Sequence, residues 1–499
     1  MGLSRIYCRV VVGVAALPVD VEVHLAGGLP MLQLVGLPAT AVKESRDRVR
    51  AALVNARFDF PVSRVTVNLA PADLPKDGGR FDLAIAVGIL VAQGVIPQEA
   101  VEGYELVAEL SLSGELRAVS GIIPTVIATA TANRRLICAP QNASEAQRIR
   151  PDASLSAMTL AQVVAFLLGR DHLSDCHELE APAPPRYPDF CDVKGQAFAR
   201  RALEVAASGS HNLLMVGSPG TGKSMLASRL PSILPTMTAS EIESVASIAS
   251  LLGAPIDHAI AGIRPFRTPH HSASAASLVG GGSIPKPGEV TQAHCGVLFL
   301  DELPEFQRSV LEMLREPLET GEIWVTRVQS QVNYPAKFQL VAAMNPCPCG
   351  YHGDPEIHCR CDIGRLNRYQ SKISGPLLDR IDIRIQVPRL KPSELKQAAL
   401  GDSSAQIRQR VAAARRRQIQ RQGCANAQLS AQQVDRMALL SAEAEKMLIY
   451  AAEKQHLSMR AFERIKRVSI SIADLAGSDQ VETAQMAEAI GYWIALNPS

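Results

Sequence analysis

One stretch constrains this chain more than any other: Leu213 to Ser224, LLMVGSPGTGKS. Four apolar residues, Leu213 to Val216, read as a buried strand and run straight into Gly217, Ser218, Pro219, Gly220, Thr221, Gly222, Lys223 and Ser224. That is G-x-x-x-x-G-K-[ST], the phosphate-binding loop. Its glycines let backbone N–H groups curl around phosphate oxygens, and the following helix points its positive end at them. Lys223 is expected at the β- and γ-phosphates of ATP and Ser224 on Mg²⁺. The alternative is a glycine turn between strand and helix with no ligand.

A second motif decides between them. Val297 to Leu300 is another buried-strand run, and it ends in Asp301 and Glu302. Asp301 at a strand's carboxyl end is placed to hold Mg²⁺ through water, and Glu302 to polarise an attacking water. An acidic strand end without chemistry does not account for both motifs in one chain. A third strand, Gln339 to Asn345, ends in a polar amide. It resembles the first sensor of AAA+ ATPases, which implies that Asn345 orients the water against the γ-phosphate.

At 499 residues the chain is too long for one core, so two to four domains are expected. Its net charge of +2 makes the surface as a whole no nucleic-acid magnet, so any such contact must be local. No apolar run reaches about 18 residues, so no membrane contact is expected. Val10 to Val19 follows Arg5 and Arg9 like a signal peptide, but Asp20, Glu22 and His24 continue a strand alternation. Ile6 stands where myristoylation needs Ser or Thr. A cytoplasmic location follows as the expectation, with the ten cysteines as thiols or metal ligands and not bridges.

Residues 1–175 read as an α/β domain. Arg5 to Val23 alternates like paired strands, Lys43 to Ala56 reads as a helix, and Val62 to Leu69 alternates again. Pro75-Lys76-Asp77-Gly78 precedes Arg80 and an apolar helix, Leu83 to Gln93; Leu112 to Gly121 reads as a hairpin before another helix. The layout resembles the proteolytic domain of Lon, in the ribosomal-S5-like superfamily. The resemblance puts the nucleophilic serine at Arg80 and the lysine at Thr125. A Ser–Lys dyad needs a hydroxyl and an amine of lowered pKa, and neither is there. The domain is therefore read as a non-proteolytic binding or assembly module. Lys76, Arg80 and Arg117 can equally be a solvated loop face, and Arg46, Arg48 and Arg50 read as surface charges on a helix.

Residues 176–190 form a linker, with Pro182, Pro184, Pro185 and Pro188 making it stiff. Residues 191–395 are the ATPase core. Arg264 to Glu289 is a long polar loop, and loops of that length are usually functional. Its adjacent His270 and His271 read as backbone contact or loop capping more than as metal ligands. Phe306 to Glu319 reads as a helix, and Gly321 to Gln339 as a hairpin with its tip near Gln329. A hairpin before the first-sensor strand resembles the presensor-1 insertion of the AAA+ clade that holds Mg-chelatase motors and MCM helicases.

The segments RPFRTPHHS, LVGGG, PGEVTQAHCGVLFLDELPEF, MNPCPCG and SGPLLDRIDI together resemble the YifB/ComM family of Mg-chelatase-like AAA+ ATPases over nearly the whole chain. The resemblance implies a homo-hexameric ring with nucleotide between subunits. It also implies a DNA helicase acting in branch migration during natural transformation. The pore insertions would then carry Arg267, Lys286, Arg327 and Lys337 along the DNA backbone.

Cys347, Cys349, Cys359 and Cys361 put four thiols in fifteen residues, a complete tetrahedral Zn²⁺ set. Reduced free thiols or a redox pair are the alternatives. Arg380 lies between Asp379 and Asp382, at face value an ion pair; the family resemblance implies a finger that enters the neighbouring subunit's ATP site. Residues 396–499 are helical by composition and resemble the AAA+ lid, with Arg460 matching the second sensor. The arginines of Ser403 to Ala425 read first as a solvated face and second as phosphate contacts. A Mg-chelatase-type motor and a regulatory ATPase acting on protein partners remain the other functions to separate.

Overall fold

The computed structural model describes residues 2–36, 40–76, 78–174, 187–281, 286–327, 330–391, 393–394 and 401–493, with the side chains of 40–43, 326, 327 and 330 outside that description. Most of the linker and the hairpin tip therefore lie outside the described residues. The fold is mixed α/β. Its contacts divide it into two units, Met1–Ala183 with Ala239–Ala261, and Pro184–Thr238 with Gly262–Ser499. No described helix is long and apolar enough to cross a membrane.

The first unit is built on a seven-stranded sheet. Strands β1 (Gly2–Val12) and β2 (Ala15–Ala26) form a long antiparallel hairpin, Gly2 opposite Leu25 and Val12 opposite Ala15. The alternation in their sequence buries Ile6, Cys8, Val19, Val21 and Val23 on one face. With β3 (Met31–Val35), β4 (Arg64–Ala70), β5 (Tyr104–Val107), β6 (Arg135–Cys138) and β7 (Ser154–Ser156) the order is β3-β4-β2-β1-β5-β6-β7. The helix Asp82–Ala92 is apolar all round and accordingly buried along its whole length. Gly88 makes that possible: a Cβ there would fall 2.7 Å from Val23 Cγ2.

The sequence reading places residues 239–261 inside the ATPase core, whereas their contacts are with the first unit. The helix Ala239–Leu251 turns Ser250 toward the start of the helix Ile122–Thr131, where its carbonyl accepts from Gly121 N at 2.9 Å and its hydroxyl from Ile123 N at 3.3 Å. Glu243 on the same helix pairs with Arg150 at 2.7 Å.

The second unit holds a five-stranded, all-parallel sheet: β8 (Leu213–Val216), β9 (Phe266–Arg267), β10 (Val297–Leu300), β13 (Gln339–Met344) and β14 (Ile383–Gln386), in the order β9-β10-β13-β8-β14. Its inner strands are unbroken apolar runs because both faces are covered. Parallel pairing puts the carboxyl ends of β8, β10 and β13 side by side, and each of the three motifs sits at one of those ends. The hairpin β11 (Glu322–Arg327) and β12 (Ser330–Pro335) precedes β13, with Arg327 opposite Ser330. The single helix expected over Phe306 to Glu319 is two short ones, Arg308–Glu312 and Arg315–Thr320. Pro317 has no N–H to give the carbonyl of Met313, which breaks the run.

The C-terminal helices, from Ser404–Gln422 to Thr483–Gly491, share one apolar core with this sheet, running from Leu213 and Val297 through Ile407 and Val411 to Ile465 and Met486. That packing modifies the solvated-face reading of the arginine run: Arg408, Arg410 and Arg416 are exposed as that reading has it, while Arg415, Arg417 and Arg421 are partly buried. Arg408 donates to Ser232 O, Arg410 to Glu204 and Asp402, Arg415 to Ser208 O, and Arg421 to Asp474. With Ile407, Val411 and Ala414 buried, the flanking guanidiniums meet the carbonyls and carboxylates of the same unit.

Candidate active site

The phosphate loop leaves β8 in the conformation its glycines permit. Gly220 and Gly222 have φ of +77° and +88°, which other residues adopt at a cost. The helix Lys223–Arg229 starts at the loop's last glycine. Lys223 is buried, and its Nζ lies 2.6 Å from Gly217 O, 3.0 Å from Ser218 O and 3.3 Å from Asn345 Oδ1. Burial pulls its ammonium below the ordinary lysine value, against Asp301 and Glu302, which raise it.

Ser224 Oγ lies 2.5 Å from Asp301 Oδ2, so the two oxygens expected on Mg²⁺ already face one point. Hard oxygen donors of this kind suit Mg²⁺; Ser224 and Asp301 would hold the ion, which would supply charge neutralisation for a bound phosphate. Glu302 sits one residue on with φ of +52°, a left-handed conformation that costs a non-glycine residue about 1 kcal/mol or more. Its side chain is half-exposed. These groups line a cavity of about 370 Å³ formed by Pro219, Gly220, Thr221, Gly222, Lys223, Ser224, Met225, Asp301, Glu302, Met344 and Asn345. The sequence motifs thus converge on one pocket.

Some neighbours of the pocket are not legible from motif spacing. His271 Nδ1 lies 3.6 Å from Glu302 Oε2, while His270 Nδ1 bonds Ser272 Oγ at 2.7 Å. Only His270 caps its own loop as expected. His271 follows a loop that β9 carries beside β10, and nothing local in HHS distinguishes the two rings.

Neither Arg380 nor Arg460 lines the cavity among the described residues. Arg380 is ion-paired with Glu319 and donates to Pro376 O at 2.8 Å. Its sequence neighbours are engaged elsewhere, Asp379 with Arg460 at 3.5 Å and Asp382 with Arg464. Of the cations assigned to DNA, Arg267 is held by both oxygens of Glu289 at 2.6 and 2.8 Å. Lys286 and Lys337 are exposed, and the side chain of Arg327 lies outside the described residues.

The four cysteine sulfurs all lie within 4.8 Å of one another, with Cys347, Cys349 and Cys359 separated by 3.3 to 3.7 Å. Tetrahedral zinc–thiolate bonds of about 2.3 Å require sulfur separations of about 3.8 Å, so the set fits Zn²⁺. The cluster begins two residues after Asn345, beside the nucleotide pocket.

In the first unit, Lys76 and Arg80 are buried, which corrects the solvated-loop reading for both; Arg117 is exposed. Lys76 Nζ donates to the carbonyls of Pro71 and Leu74, and burial lowers its pKa. Arg80 Nη2 donates to Thr125 Oγ1 at 3.2 Å. Arg48 is likewise not a surface charge: it grips both oxygens of the buried Asp82 at 2.8 and 3.3 Å.

Comparison with known proteins accounts for this architecture. The family model of magnesium chelatase, subunit ChlI, matches residues 189–395. That of subunit ChlI of Mg-chelatase matches 21–142, and that of the subunit's C-terminal part matches 401–493. The competence protein ComM of Haemophilus influenzae is 47% identical over 498 residues, covering 99% of this chain and 97% of that protein. The YifB proteins of Salmonella typhimurium and Escherichia coli are 45% and 44% identical over 494 residues, each again covering 99% of this chain and 97% of the relative. With the phosphate loop, Asp301, Glu302 and Asn345 gathered on one parallel sheet, the chain belongs to the YifB/ComM family of Mg-chelatase-like AAA+ ATPases.

Proposed function

We propose that this protein is an ATP-driven hexameric ring motor that moves DNA strands, extending heteroduplex by branch migration during natural transformation. The observation that supports the ring is that Arg380 does not line the nucleotide pocket of its own chain. One subunit supplies Lys223, Ser224, Asp301, Glu302 and Asn345 to the pocket, while Arg380, the finger the family resemblance implies, is held by Glu319 away from it. A neighbour's Arg380 would complete the site. In this reading Glu302 accepts the proton of the attacking water, Asn345 orients that water, Arg460 acts as the second sensor, and ATP with Mg²⁺ is the fuel.

The DNA part rests on the family and on the insertions. The relative at 47% identity is named a competence protein. The hairpin β11–β12 and the 264–289 loop are the segments that would line a pore, with Lys286, Lys337 and Arg327 tracking phosphates without reading bases. Arg267, bound to Glu289, would first have to exchange that partner. The four cysteines hold Zn²⁺ as a structural centre.

A labelled three- or four-strand junction decides the matter. ATP-dependent strand exchange, ATPase stimulation by DNA and loss of binding with salt are the expected results. An active ATPase with no strand product would favour the second reading, a Mg-chelatase-type motor. That reading draws on the family models, one of which covers 21–142, so the front unit does not by itself set the chain apart from that subunit.

A further inference from the structure

The loop that carries the four cysteines is hydrogen-bonded to the phosphate loop through a carboxylate, that of Asp354. Asp354 lies between the two cysteine pairs, and its side chain is 1% exposed. Its Oδ1 accepts from the N–H groups of Glu356 and Ile357, both at 3.0 Å, and so fixes the turn between the pairs. Its Oδ2 accepts from Ser218 Oγ at 2.7 Å, and Ser218 is the second residue of the phosphate loop. Arg389 stands over the same junction, Nε at 3.6 Å from Asp354 Oδ2 and Nη2 at 3.4 Å from Pro219 O. Gly350 closes it from the cysteine side. A Cβ at Gly350 would fall 2.5 Å from Pro219 Cδ, so the two loops touch backbone to ring.

The contact reaches the chemistry through Ser218 itself. The carbonyl of Ser218 accepts from Lys223 Nζ at 3.0 Å and from Thr221 Oγ1 at 3.0 Å. Moving Ser218 moves the group on which the phosphate-binding lysine rests. Nothing in the G-x-x-x-x-G-K-S pattern requires a partner for the second position, so the mooring serves this chain's own loop.

We propose that Asp354 is a positioning residue for the nucleotide: it moors the outer turn of the phosphate loop to the four-cysteine loop, so that the state of the cysteines sets nucleotide affinity. The inference rests on the nucleotide-site and zinc readings above. With the thiols bound together, the turn around Asp354 is fixed and holds Ser218 in place. With them free of one another, the turn loses its frame and the phosphate loop loses its brace. Affinity responds, while the hydrolytic groups at Glu302 stay where β10 puts them.

Binding of a fluorescent ADP analogue to the full chain, at fixed Mg²⁺, tests this. Asp354→Ala and Ser218→Ala should each raise Kd about tenfold, as loss of a hydrogen bond to a charged group does. The double variant should bind no worse than the weaker single one. Asp354→Asn, which keeps one acceptor, should fall between, and hydrolysis at saturating ATP should change less than about threefold in the two Asp354 variants. Cys359→Ser should weaken binding by itself and add nothing to Asp354→Ala. Wild-type Kd in the single variants, or additive effects in either pair, overturns the proposal. If a variant at Asp354 does not fold, Ser218→Ala against Arg389→Gln gives the same cycle. Wild-type protein that does not bind ADP would instead sink the nucleotide-site reading.

Discussion

Arg80 Nη2 lies 3.2 Å from Thr125 Oγ1, in a place where the Lon resemblance would set a nucleophilic serine beside a lysine. Forty-five residues apart in sequence, the two positions meet because Arg80 lies in the turn just before the helix Asp82–Ala92 and Thr125 lies on the helix Ile122–Thr131. The groups present have no acyl-transfer chemistry. Thr125 gives its proton to Gly121 O at 2.8 Å, and a guanidinium is not a base at working pH.

Arg80 is buried with its Nε unpartnered, and burial lowers its pKa. Arg9 is also buried, but holds both oxygens of Glu105 at 2.6 and 2.9 Å. Arg80→Met should therefore change stability by less than about 1 kcal/mol or raise it, while Arg9→Met should cost about 1–3 kcal/mol, because it leaves the buried Glu105 with only Arg134 at 3.4 Å and the Thr129 hydroxyl at 2.6 Å. Hydrogen exchange along β1 and the Ile122–Thr131 helix reads the difference without assuming two-state unfolding of the whole chain. Equal losses would show that Arg80 has a partner the contacts do not reveal.

Glu302→Gln should keep ATP binding and reduce hydrolysis by at least about a hundredfold, the scale of a lost general base. Lys223→Ala should weaken binding about ten- to a hundredfold, because it removes charged hydrogen bonds to phosphate. Isothermal titration beside steady-state hydrolysis separates the two. Wild-type turnover in the Gln variant would remove Glu302 from its role.

Freshly purified protein should carry about one zinc per chain, and Cys347→Ser with Cys349→Ser should abolish it. Metal analysis by mass spectrometry is the check. A stoichiometry near zero in unchelated protein returns the thiols to the free or redox readings.

Arg380→Ala and Lys223→Ala subunits should each be inactive alone and recover partial hydrolysis when mixed. Some interfaces would then pair an intact loop with an intact finger. Glu319→Ala, which only releases Arg380 from its ion pair, should leave hydrolysis within about threefold of wild type. No recovery in rings proven mixed would mean that Arg380 is a structural cation.

Burial alone raises the Asp382 carboxyl, but Arg464 and His211 outweigh it and hold the group well below the usual carboxylate range. Its folded pKa is thus depressed. The stability it contributes is present above the unfolded value of about 4 and is lost as pH falls through the folded value. Asp382→Asn should cost about 3–5 kcal/mol at pH 7 by leaving Arg464 unpaired in a buried site, and the variant's stability should fall less steeply in acid. Unfolding followed by circular dichroism from pH 7 to pH 2 measures both. Parallel curves for variant and wild type would contradict the assignment.

The sequence by itself determined the ATPase chemistry. A phosphate loop is a local structure, since its glycines and lysine act within eight residues, and an apolar run ending in two acids states both its burial and its place at a strand's carboxyl end. Strand alternation in β1 and β2 and the all-apolar helix Asp82–Ala92 are local signals too, and they fall where the periodicity puts them. Tertiary structure decided everything that depends on a partner distant in the chain. It gave the helix Ala239–Leu251 to the first unit, tethered the arginines of Ser404–Gln422, paired Arg380 with Glu319 and not with its own neighbours, and set His271 beside Glu302. A charge or an imidazole looks the same in sequence whether it faces water or a carboxylate. The free energy of that choice lies in groups tens to hundreds of residues away, as with Asp354 and Ser218, 136 residues apart and 2.7 Å from each other.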